Sequence, residues 1–339
     1  MNPSVMGAEV DASMANFARR IGDLSLQSEA NKSRVVQLGG VEFLVNLVRK
    51  ALDDAVLEGA AIALSNLSLS ESGRQVVAEH GAIQELVRAL RSPVGDGPLA
   101  AIAGALRNLA CGSEERLQIL EHGGVEELVS LCKQDKDVSI QENAAAAIAN
   151  LADETRCRER VASCGGLEAL CNLCNTSQAD AVLACAAAAL GNLADDDENR
   201  VVIAKVGGLE PLIRLCASSV NDAVLESSAA AIANLAYNEA NRKRIAQLTG
   251  IEPLVWLCVH SKNEAVLESA AAALGNLAYY NDLNRIRVAD TGGLQALLLL
   301  CDTTSNEAVL EVEPSPYTIV PSALSAMFST TTMATEISS

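Results

Sequence analysis

Apolar and polar positions along this chain follow a pattern that repeats every 42 residues. One leucine of the pattern recurs at Leu44, Leu86, Leu128, Leu170, Leu212 and Leu254, and Leu297 follows one residue late. An Asn-Leu pair ends the same copies, with its asparagine at Asn66, Asn108, Asn150, Asn192, Asn234 and Asn276. The inserted residue lies within residues 279–283, where a loop absorbs length at little cost. Such a period is typical of stacked units that bury their apolar faces only against their neighbours.

Each copy divides into three helical segments. The first is short and begins after a polar residue, the second follows a glycine pair such as Gly207-Gly208, and the third is rich in alanine, as at residues 144–147. The glycine pair permits a left-handed helix end and a sharp change of direction. An acidic or amide side chain near the start of the second segment, as at Glu210, suits the positive end of a helix. The alanine-rich segment predicts a long helix that packs closely against its neighbours.

The first segment carries a basic residue at the same position of every copy. The residues are Lys32, Arg74, Arg116, Arg158, Arg200, Arg242 and Arg285. We expect this side chain to bridge to carbonyl or carboxylate groups of the adjoining repeat, because a structural site that recurs needs a partner that recurs.

The pattern predicts an all-α fold, an α-solenoid with about three helices per 42-residue repeat, six full repeats and a partial repeat at each end. Residues 1–11 show no apolar period, and we expect them to form a disordered leader. We expect the solenoid to span residues 12–311. The Ser/Thr-rich residues 312–339 diverge from the repeat and are predicted to be disordered.

The last copy of the repeat is incomplete. Residues 306–311 begin a third helix, but Pro314 and Pro316 prevent its continuation. Because a solenoid needs a polar terminal helix, the face formed by residues 294–301 would be partly exposed. We expect either a truncated or alternatively spliced product or an end that a partner completes, which includes self-association through this end.

Composition narrows the class of partner. The chain has 25 Lys and Arg against 43 Asp and Glu, a net charge of −18, and only 2% aromatic residues. This charge repels nucleic acid and anionic membrane surfaces, and so few aromatic rings cannot stack many bases. No apolar run approaches the roughly 20 residues of a membrane span, and the first residues lack the pattern of a secretory signal. We therefore expect an intracellular, cytoplasmic protein without nucleic-acid partners or integral membrane segments, with nuclear or peripheral membrane association left open.

Cysteine and histidine do not form a reactive constellation in the sequence. Five cysteines share one repeat position, which is typical of a small buried apolar residue, at Cys132, Cys174, Cys216, Cys258 and Cys301. Cys171 and Cys174 form a single Cys-x-x-Cys without a second pair, which argues against zinc. His80 and His122 share the position just before the glycines, which indicates a role at a helix end. Without a nucleophile fixed beside a base, the sequence predicts no enzyme, no cofactor and no metal.

Two motifs resemble those of the armadillo-repeat family. They are Gly-Gly-Leu-Glu-Pro-Leu at residues 207–212 and Gly-Asn-Leu-Ala at residues 191–194. The resemblance covers residues 12–311, and the pattern is most similar to the vacuolar armadillo scaffold and to importin-alpha-like and beta-catenin-like armadillo domains. It implies a right-handed superhelix whose third helices line a concave groove. It also implies that the asparagines of these helices hydrogen-bond the backbone of an extended peptide, so that the chain is a binding module.

The residues themselves leave two roles open for the asparagines. An amide on an alanine-rich helix must find hydrogen-bond partners or meet water. It can tie down the backbone of the next repeat, or it can project from the groove toward a guest. We favour the second role, because asparagine in a capping or turn role usually lies at a helix end. With helices about 10 Å apart and a rise of about 3.3 Å per extended residue, six asparagines would track roughly 15 to 20 guest residues.

Carboxylates near the asparagines predict an acidic centre of the groove. Glu154 and Asp196 follow their asparagines by one turn, and Glu142 and Glu226 precede theirs by two turns. The alternative interpretation is an ordinary solvated helix edge. Importin alpha has a tryptophan one turn before the asparagine, whereas this chain has Ile62, Gly104, Ala146, Ala188, Ala230 and Ala272. This departure weighs against import cargo of that type.

The sequence therefore predicts a protein-binding scaffold or adaptor that holds an extended, basic or neutral segment of a partner along the asparagine ladder. One alternative is a structural adaptor that uses its convex face or its exposed repeat ends. Another is a divergent receptor of the nuclear-transport type.

Overall fold

The computed structural model describes residues 3–51, 53–133 and 136–303, with side chains from residue 12 to residue 300 within these ranges. These residues form 21 α-helices and no strand, which confirms the all-α prediction. The chain divides into two compact units, Met1–Ala169 (unit 1) and Leu170–Ser339 (unit 2). The predicted Ser/Thr-rich tail lies outside the described residues.

Unit 1 begins with one long helix and continues with helices in groups of three. The helices are α1 (Pro3–Gln27), α2 (Glu29–Gln37), α3 (Gly40–Lys50), α4 (Asp54–Leu67), α5 (Glu71–Glu79), α6 (Ala82–Leu90), α7 (Asp96–Leu109), α8 (Ser113–Glu121), α9 (Gly124–Lys133), α10 (Val138–Leu151) and α11 (Thr155–Ser163). In each group a short first helix is followed by a second helix and a longer third helix, as the pattern predicts. The third helices α4, α7 and α10 pack side by side, and α1 packs against α4 as a further third helix.

Unit 2 continues the same order of helices. Helix α12 (Gly166–Thr176) contains the boundary, and it is followed by α13 (Asp180–Leu193), α14 (Asp197–Lys205), α15 (Leu209–Ser218), α16 (Asp222–Leu235), α17 (Glu239–Gln247), α18 (Ile251–His260), α19 (Glu264–Ala278), α20 (Asp282–Asp290) and α21 (Gly293–Thr303). The third helices α13, α16 and α19 pack side by side. The leucine of every Asn-Leu pair is buried in the core of its unit, at Leu67, Leu109, Leu151, Leu193, Leu235 and Leu277.

Helix α1 is 25 residues long and begins at Pro3. It therefore runs through residues 3–11, so the expected boundary at residue 12 does not coincide with the start of the helix. Its packed residues Ala15, Ala18 and Ile21 are buried in unit 1. Once these residues form a helix, each added turn costs little.

Glycine sets the sharp turn between the first and second helices. The first residue of each glycine pair has a positive φ, for example +73° at Gly39 and +84° at Gly207, which confirms the predicted left-handed helix end. The copy before α18 has Thr249 at this position, with a φ of 60°. A β-branched residue is strained in this region.

The recurring basic residue of the first helix caps the third helix that precedes it. Arg200 donates from Nη1 to the carbonyl of Ala194 at 3.0 Å, and Arg242 donates to that of Ala236 at 2.9 Å. The same contact is made by Arg116, Arg158 and Arg285. The predicted bridge to carbonyl groups of the adjoining repeat is confirmed for these five arginines, whereas Lys32 bonds to the nearby Glu29.

Candidate functional site

Except for α19, whose asparagine is buried, each third helix from α4 onward leaves a narrow accessible stripe that ends at its asparagine. On α16, after its exposed first residue, the exposed or half-buried residues are Ala223, Glu226, Ser227, Ala230 and Asn234, and the other residues of the helix are buried. Glu226 and Ser227 each lie three or four residues from Ala223 and from Ala230, and Asn234 follows Ala230 by four residues, so these positions share one helical face. We call this face of a third helix the asparagine stripe. Because alanine and serine dominate it, little side-chain bulk separates the helix from a molecule that lies along it.

Four asparagines donate a hydrogen bond from Nδ2 to a carbonyl of the preceding third helix. With their nitrogen to oxygen distances, the pairs are Asn108 and Ser65 (3.1 Å), Asn150 and Arg107 (2.9 Å), Asn234 and Gly191 (2.9 Å), and Asn276 and Ala233 (2.9 Å). Each pair lies within one unit. These bonds tie adjacent third helices together, which is the first of the two roles that the sequence left open.

The hydrogen bonds between helices use only part of each amide. An asparagine amide has two N–H groups and an oxygen that accepts, so the single bond from Nδ2 of Asn234 leaves the oxygen and a second N–H for another partner. Nδ2 of Asn108 also donates to Oγ of Ser65 at 3.0 Å, and Nδ2 of Asn150 also donates to Sγ of Cys111 at 3.4 Å. Asn108 directs its oxygen toward Nε of Arg107 at 3.5 Å. Asn276 is only 4% exposed, whereas Asn66, Asn192 and Asn234 are half-buried. The asparagines thus hold neighbouring third helices together, and most of them still expose amide atoms on the stripes.

Two of the predicted carboxylates cap helices. Glu154 is the N-cap of α11 and accepts from the backbone N–H of Arg156 at 3.3 Å. Asp196 is the N-cap of α14 and accepts from Glu198 and Asn199, both at 3.0 Å. An N-cap carboxylate satisfies backbone N–H groups that the helix cannot. These two side chains therefore lie in the turn after the third helix and are partly used by the next helix.

The other two predicted carboxylates lie on third helices. Glu142 is half-buried on α10, and Glu226 is exposed on α16. The sequences of α10, α13, α16 and α19 contain no lysine or arginine, whereas α7 carries Arg107. On these four helices the carboxylates consequently have no basic neighbour on the same helix.

The histidines and the cysteine ladder have structural surroundings. His80 and His122 are the C-cap residues of α5 and α8, which confirms their predicted position at helix ends. Four ladder cysteines are buried, and burial raises the pKa of Cys132, Cys216 and Cys258 from 9.0 to about 12 and raises that of Cys174 further. The prediction of small buried residues is confirmed for these four, and the Cys301 side chain lies outside the described residues. Thiols with such pKa values stay protonated and unreactive at neutral pH.

In the described part of the chain, His, Cys, Asp and Glu side chains form no cluster of three or more that could hold a metal ion. Among the helices described, none combines the length and the apolarity that crossing a membrane requires.

Comparison with solved structures agrees with the geometry of the helices. An engineered protein is 30% identical, has a TM-score of 0.80, and matches 91% of this chain and 73% of its own. A designed armadillo repeat protein is 27% identical, with a TM-score of 0.63 and coverage of 72% of this chain and 98% of its own. Another, solved in complex with the peptide (KR)4, is 26% identical, with a TM-score of 0.62 and coverage of 72% and 99%. No curated protein sequence matches the chain significantly.

The sequence model of one family matches most of the repeats. This model, described as Armadillo/beta-catenin-like repeat, matches residues 28–69, 112–153, 155–195, 196–237 and 238–279. These segments make up more than half of the chain, and together with the solved structures they agree with the resemblance that the sequence motifs indicate. The chain belongs to the armadillo/beta-catenin-like repeat family.

Proposed function

We propose that the chain is a protein-binding scaffold whose asparagine stripes hold an extended, basic or neutral segment of a partner protein. The observation that carries this proposal is the arrangement of Asn108, Asn150 and Asn234. Each uses its Nδ2 to fix its helix to the preceding one, Asn150 and Asn234 keep the amide oxygen as an acceptor on a face of small side chains, and Asn234 also keeps a second N–H. An extended backbone needs one donor and one acceptor of this kind at each contact.

The spacing of the helices suits such a guest. Packed helices lie about 8 to 10 Å apart, and an extended chain advances about 3.3 Å per residue. Each repeat therefore serves about three guest residues. Three asparagines of one unit serve a segment of roughly six to nine residues. Each hydrogen bond contributes about 1 kcal/mol, so binding requires several repeats together.

The charge near the stripes favours a basic guest. Glu226 and Glu268 are exposed on α16 and α19, and neither helix has a lysine or arginine. The net charge of −18 adds a long-range attraction for basic segments. A designed armadillo repeat protein of the same family binds the alternating basic peptide (KR)4, which supports the same chemistry here.

Peptide binding to the full chain tests the proposal. Labelled (KR)4 and a matched Glu-rich octapeptide are titrated with the protein, and fluorescence anisotropy reports the dissociation constants. We expect (KR)4 to bind and the acidic peptide to bind at least about tenfold more weakly. The double variant Asn192→Ala and Asn234→Ala is expected to weaken (KR)4 binding by about tenfold or more, since about 1 kcal/mol is lost per hydrogen bond.

Two further variants separate binding from folding. Asn172→Ala removes an exposed asparagine from the second helix α12 and should leave the affinity unchanged. Ala230→Arg keeps every asparagine, yet it places a long cationic side chain on the stripe of α16 and should abolish (KR)4 binding. If the stripe variants and Asn172→Ala all bind as the parent does, the groove is not the binding site.

A second candidate function is supported by an exposed aromatic side chain. Trp256 on α18 is 55% exposed, and its ring stacks on that of His260 with 4.6 Å between the centroids. Tryptophan is enriched among residues that dominate protein interfaces. If the chain binds its partner through its second helices, Trp256→Ala should abolish partner binding. The double variant Asn192→Ala and Asn234→Ala should then bind the partner as the parent does. The reverse result supports the asparagine stripes.

A further inference from the structure

Two second helices carry an arginine that binds the carboxyl end of the second helix before it. Each arginine lies two residues after the recurring leucine, and we call this place the capping position. Arg88 on α6 donates from Nη2 to the carbonyl oxygens of Arg49 and Val48, at 2.9 and 3.5 Å. Arg214 on α15 donates from Nη2 to the carbonyl oxygens of Cys174 and of the residue after it, at 2.8 and 3.4 Å. The same contact therefore recurs in both units.

A guanidinium suits the end of a helix. The last carbonyls of a helix have no N–H partner within it, and they carry the negative end of the helix dipole. A guanidinium offers several N–H donors together with a permanent positive charge, so it satisfies both needs. Arg88 and Arg214 are both exposed, so these helix ends bind a guanidinium at the surface of the protein.

In α18 the capping position holds Trp256, and an indole has only one N–H donor and no charge. The carbonyls that correspond to those bound by Arg214 belong to Cys216 and Ala217, in the last turn of α15, and α18 packs against α15. Among the described residues, no protein group donates a hydrogen bond to either of these carbonyls. The other second helices have Asn46, Ser130, Asn172 and Leu299 at the capping position. Only α18 combines two carbonyls of this kind with an aromatic ring.

The ring of Trp256 is held in place and still accessible. It is 55% exposed, and it stacks on His260, one turn further along α18, with an angle of 16° between the planes. Nδ1 of His260 lies 2.9 Å from the carbonyl oxygen of Trp256, which fixes the imidazole beside the indole. Val220, in the loop after α15, is 95% exposed and adds apolar surface three residues after Ala217. Cations bind to the faces of aromatic rings, and tryptophan binds them best.

We propose that an arginine side chain of a partner protein binds between α15 and α18. Its guanidinium donates to the carbonyls of Cys216 and Ala217 and stacks on Trp256, so it takes the place that Arg214 fills one repeat earlier. The net charge of −18 attracts a basic partner to this surface. The proposal rests on the second candidate function, which is partner binding at Trp256, and it does not depend on a peptide along the asparagine stripes.

Arginine fits this place better than lysine. The guanidinium is planar, it can donate to two carbonyls at once, and it stacks on aromatic rings, whereas the ammonium group of lysine is a compact and strongly hydrated charge. Tryptophan and arginine are also the residues that most often dominate the binding energy of protein interfaces. A partner that uses this site should therefore lose affinity when its arginine is replaced by lysine.

Trp256 is the only tryptophan of the chain, so tryptophan fluorescence reports on this site alone. N-acetyl-arginine amide is titrated into the full chain, and the matched probe is N-acetyl-citrulline amide, whose urea group has nearly the shape of a guanidinium without its charge. We expect a saturable change with the arginine probe, at a dissociation constant of about 1 mM or more, because a single side chain binds weakly. The citrulline probe should bind at least about fivefold more weakly, and N-acetyl-lysine amide should lie between the two.

A charge placed near the site should change this affinity. Val220→Glu should tighten the binding of the arginine probe about two- to fivefold, and Val220→Lys should weaken it by a similar factor. The matched controls are Val138→Glu and Val138→Lys, which alter the net charge equally at a residue of unit 1 that is 47% exposed. They should leave the affinity nearly unchanged.

A guanidinium supplied by the chain itself tests the contact with α15. Trp256→Arg should raise the temperature of thermal unfolding by at least about 1 °C over Trp256→Lys, because only the arginine can donate to both carbonyls in the manner of Arg214. Equal unfolding temperatures would overturn the assignment of these carbonyls as the binding partners.

The outcomes separate this proposal from the two candidate functions. The double variant Asn192→Ala and Asn234→Ala should bind the arginine probe as the parent does, whatever its effect on (KR)4. Equal binding of the arginine and citrulline probes would keep Trp256 as a contact residue and overturn the assignment of arginine. The absence of any saturable change in fluorescence with the arginine probe would also overturn the proposal.

Discussion

The third helices of the two units share the asparagine ladder and differ in the side chains around it. In unit 1, Arg107 lies next to Asn108 on α7, and Arg19 pairs with Glu58 at 3.6 Å. In unit 2, α13, α16 and α19 contain no basic residue and have alanine one turn before each asparagine. The hydrogen bonds between helices are the same in both units. The backbone arrangement is thus a property of the repeat, whereas charge and side-chain size are set separately in each unit.

The units also differ in the number of buried thiols. Of the differences between the units, this one should have the largest effect on stability. Unit 2 has Cys174, Cys216 and Cys258 on the ladder, and unit 1 has Cys132. Burial raises the pKa of Cys216 and Cys258 to about 12, so above the ordinary value of 9.0 the unfolded chain releases protons that the folded chain keeps. Stability should therefore fall as pH rises above about 9, by about 1.4 kcal/mol per thiol and pH unit.

Denaturant unfolding at about pH 8 and about pH 10.5 measures this loss, which should reach about 2 kcal/mol per buried thiol at the higher pH. The variant with valine at Cys174, Cys216 and Cys258 should lose much less stability than the parent between the two pH values. Cys132→Val, which removes one buried thiol instead of three, should reduce the loss of stability by about a third as much as the triple variant does. Equal losses in the parent and the triple variant would show that other groups cause the alkaline sensitivity.

Neighbouring third helices approach each other closely at glycine residues. A Cβ on Gly59 of α4 would lie 2.8 Å from the carbonyl oxygen of Ala15 on α1, whereas one on Gly191 of α13 would lie 3.3 Å from Cα of Ala231 on α16. Gly59→Ala should lower the free energy of unfolding by roughly 2 kcal/mol, because backbone must move to admit the methyl group. Gly191→Ala should change it by less than about 1 kcal/mol, because better helix propensity offsets the tighter contact. Urea unfolding of both variants checks the contrast.

The turn before α18 allows a stabilising change that is specific to unit 2. Thr249 has a φ of 60°, where the corresponding turns have glycine, as at Gly207 with a φ of 84°. Left-handed backbone costs about 1 to 2 kcal/mol for a residue with a Cβ, and glycine loses about 0.5 to 1 kcal/mol in chain entropy. Thr249→Gly should therefore stabilise the protein by about 0.5 to 1 kcal/mol, measured by thermal and denaturant unfolding. Gly207→Thr should destabilise it, and an increase in stability for that variant would show that left-handed strain does not set the preference for glycine at this turn.

Much of the fold follows from the repeat because each contact recurs. The buried leucines, the left-handed glycines and the arginines that cap the third helices are set by residues within one or two neighbouring copies. A period in the sequence therefore specifies them. The start of α1 at Pro3 could not be predicted in the same way, because residues 3–11 show no apolar period.

The site is harder to predict, because helical spacing alone does not show where each third helix ends. Glu154 and Asp196 follow their asparagines by four residues, but α10 ends at Leu151 and α13 at Leu193. Both carboxylates consequently fall in the turn and cap the next helix. A signal was present in the sequence, since Ser70 and Asn238 occupy the same repeat position and are typical N-cap residues. The carbonyl partners of the asparagines depend on how helices stack, which a period alone does not specify.

The smallest expected effect concerns the charge that distinguishes the two units. Arg107→Gln removes the cation beside Asn108 and makes the stripe of α7 resemble those of unit 2. We expect (KR)4 to bind about two- to fivefold more tightly in anisotropy titrations at low salt, because an exposed charge contributes only about 0.5 to 1 kcal/mol. This gain in affinity should shrink at higher salt, because salt shortens the range of the repulsion between Arg107 and the basic peptide.

The matched control for this charge change is Lys205→Gln, which removes a cation from the exposed surface of the first helix α14. Both variants change the net charge of −18 by the same amount, so long-range attraction affects them equally. A larger gain for Arg107→Gln shows that the charge acts at the stripe itself. If the two variants gain equally, the net charge alone favours basic guests, and the difference between the units has no part in choosing them.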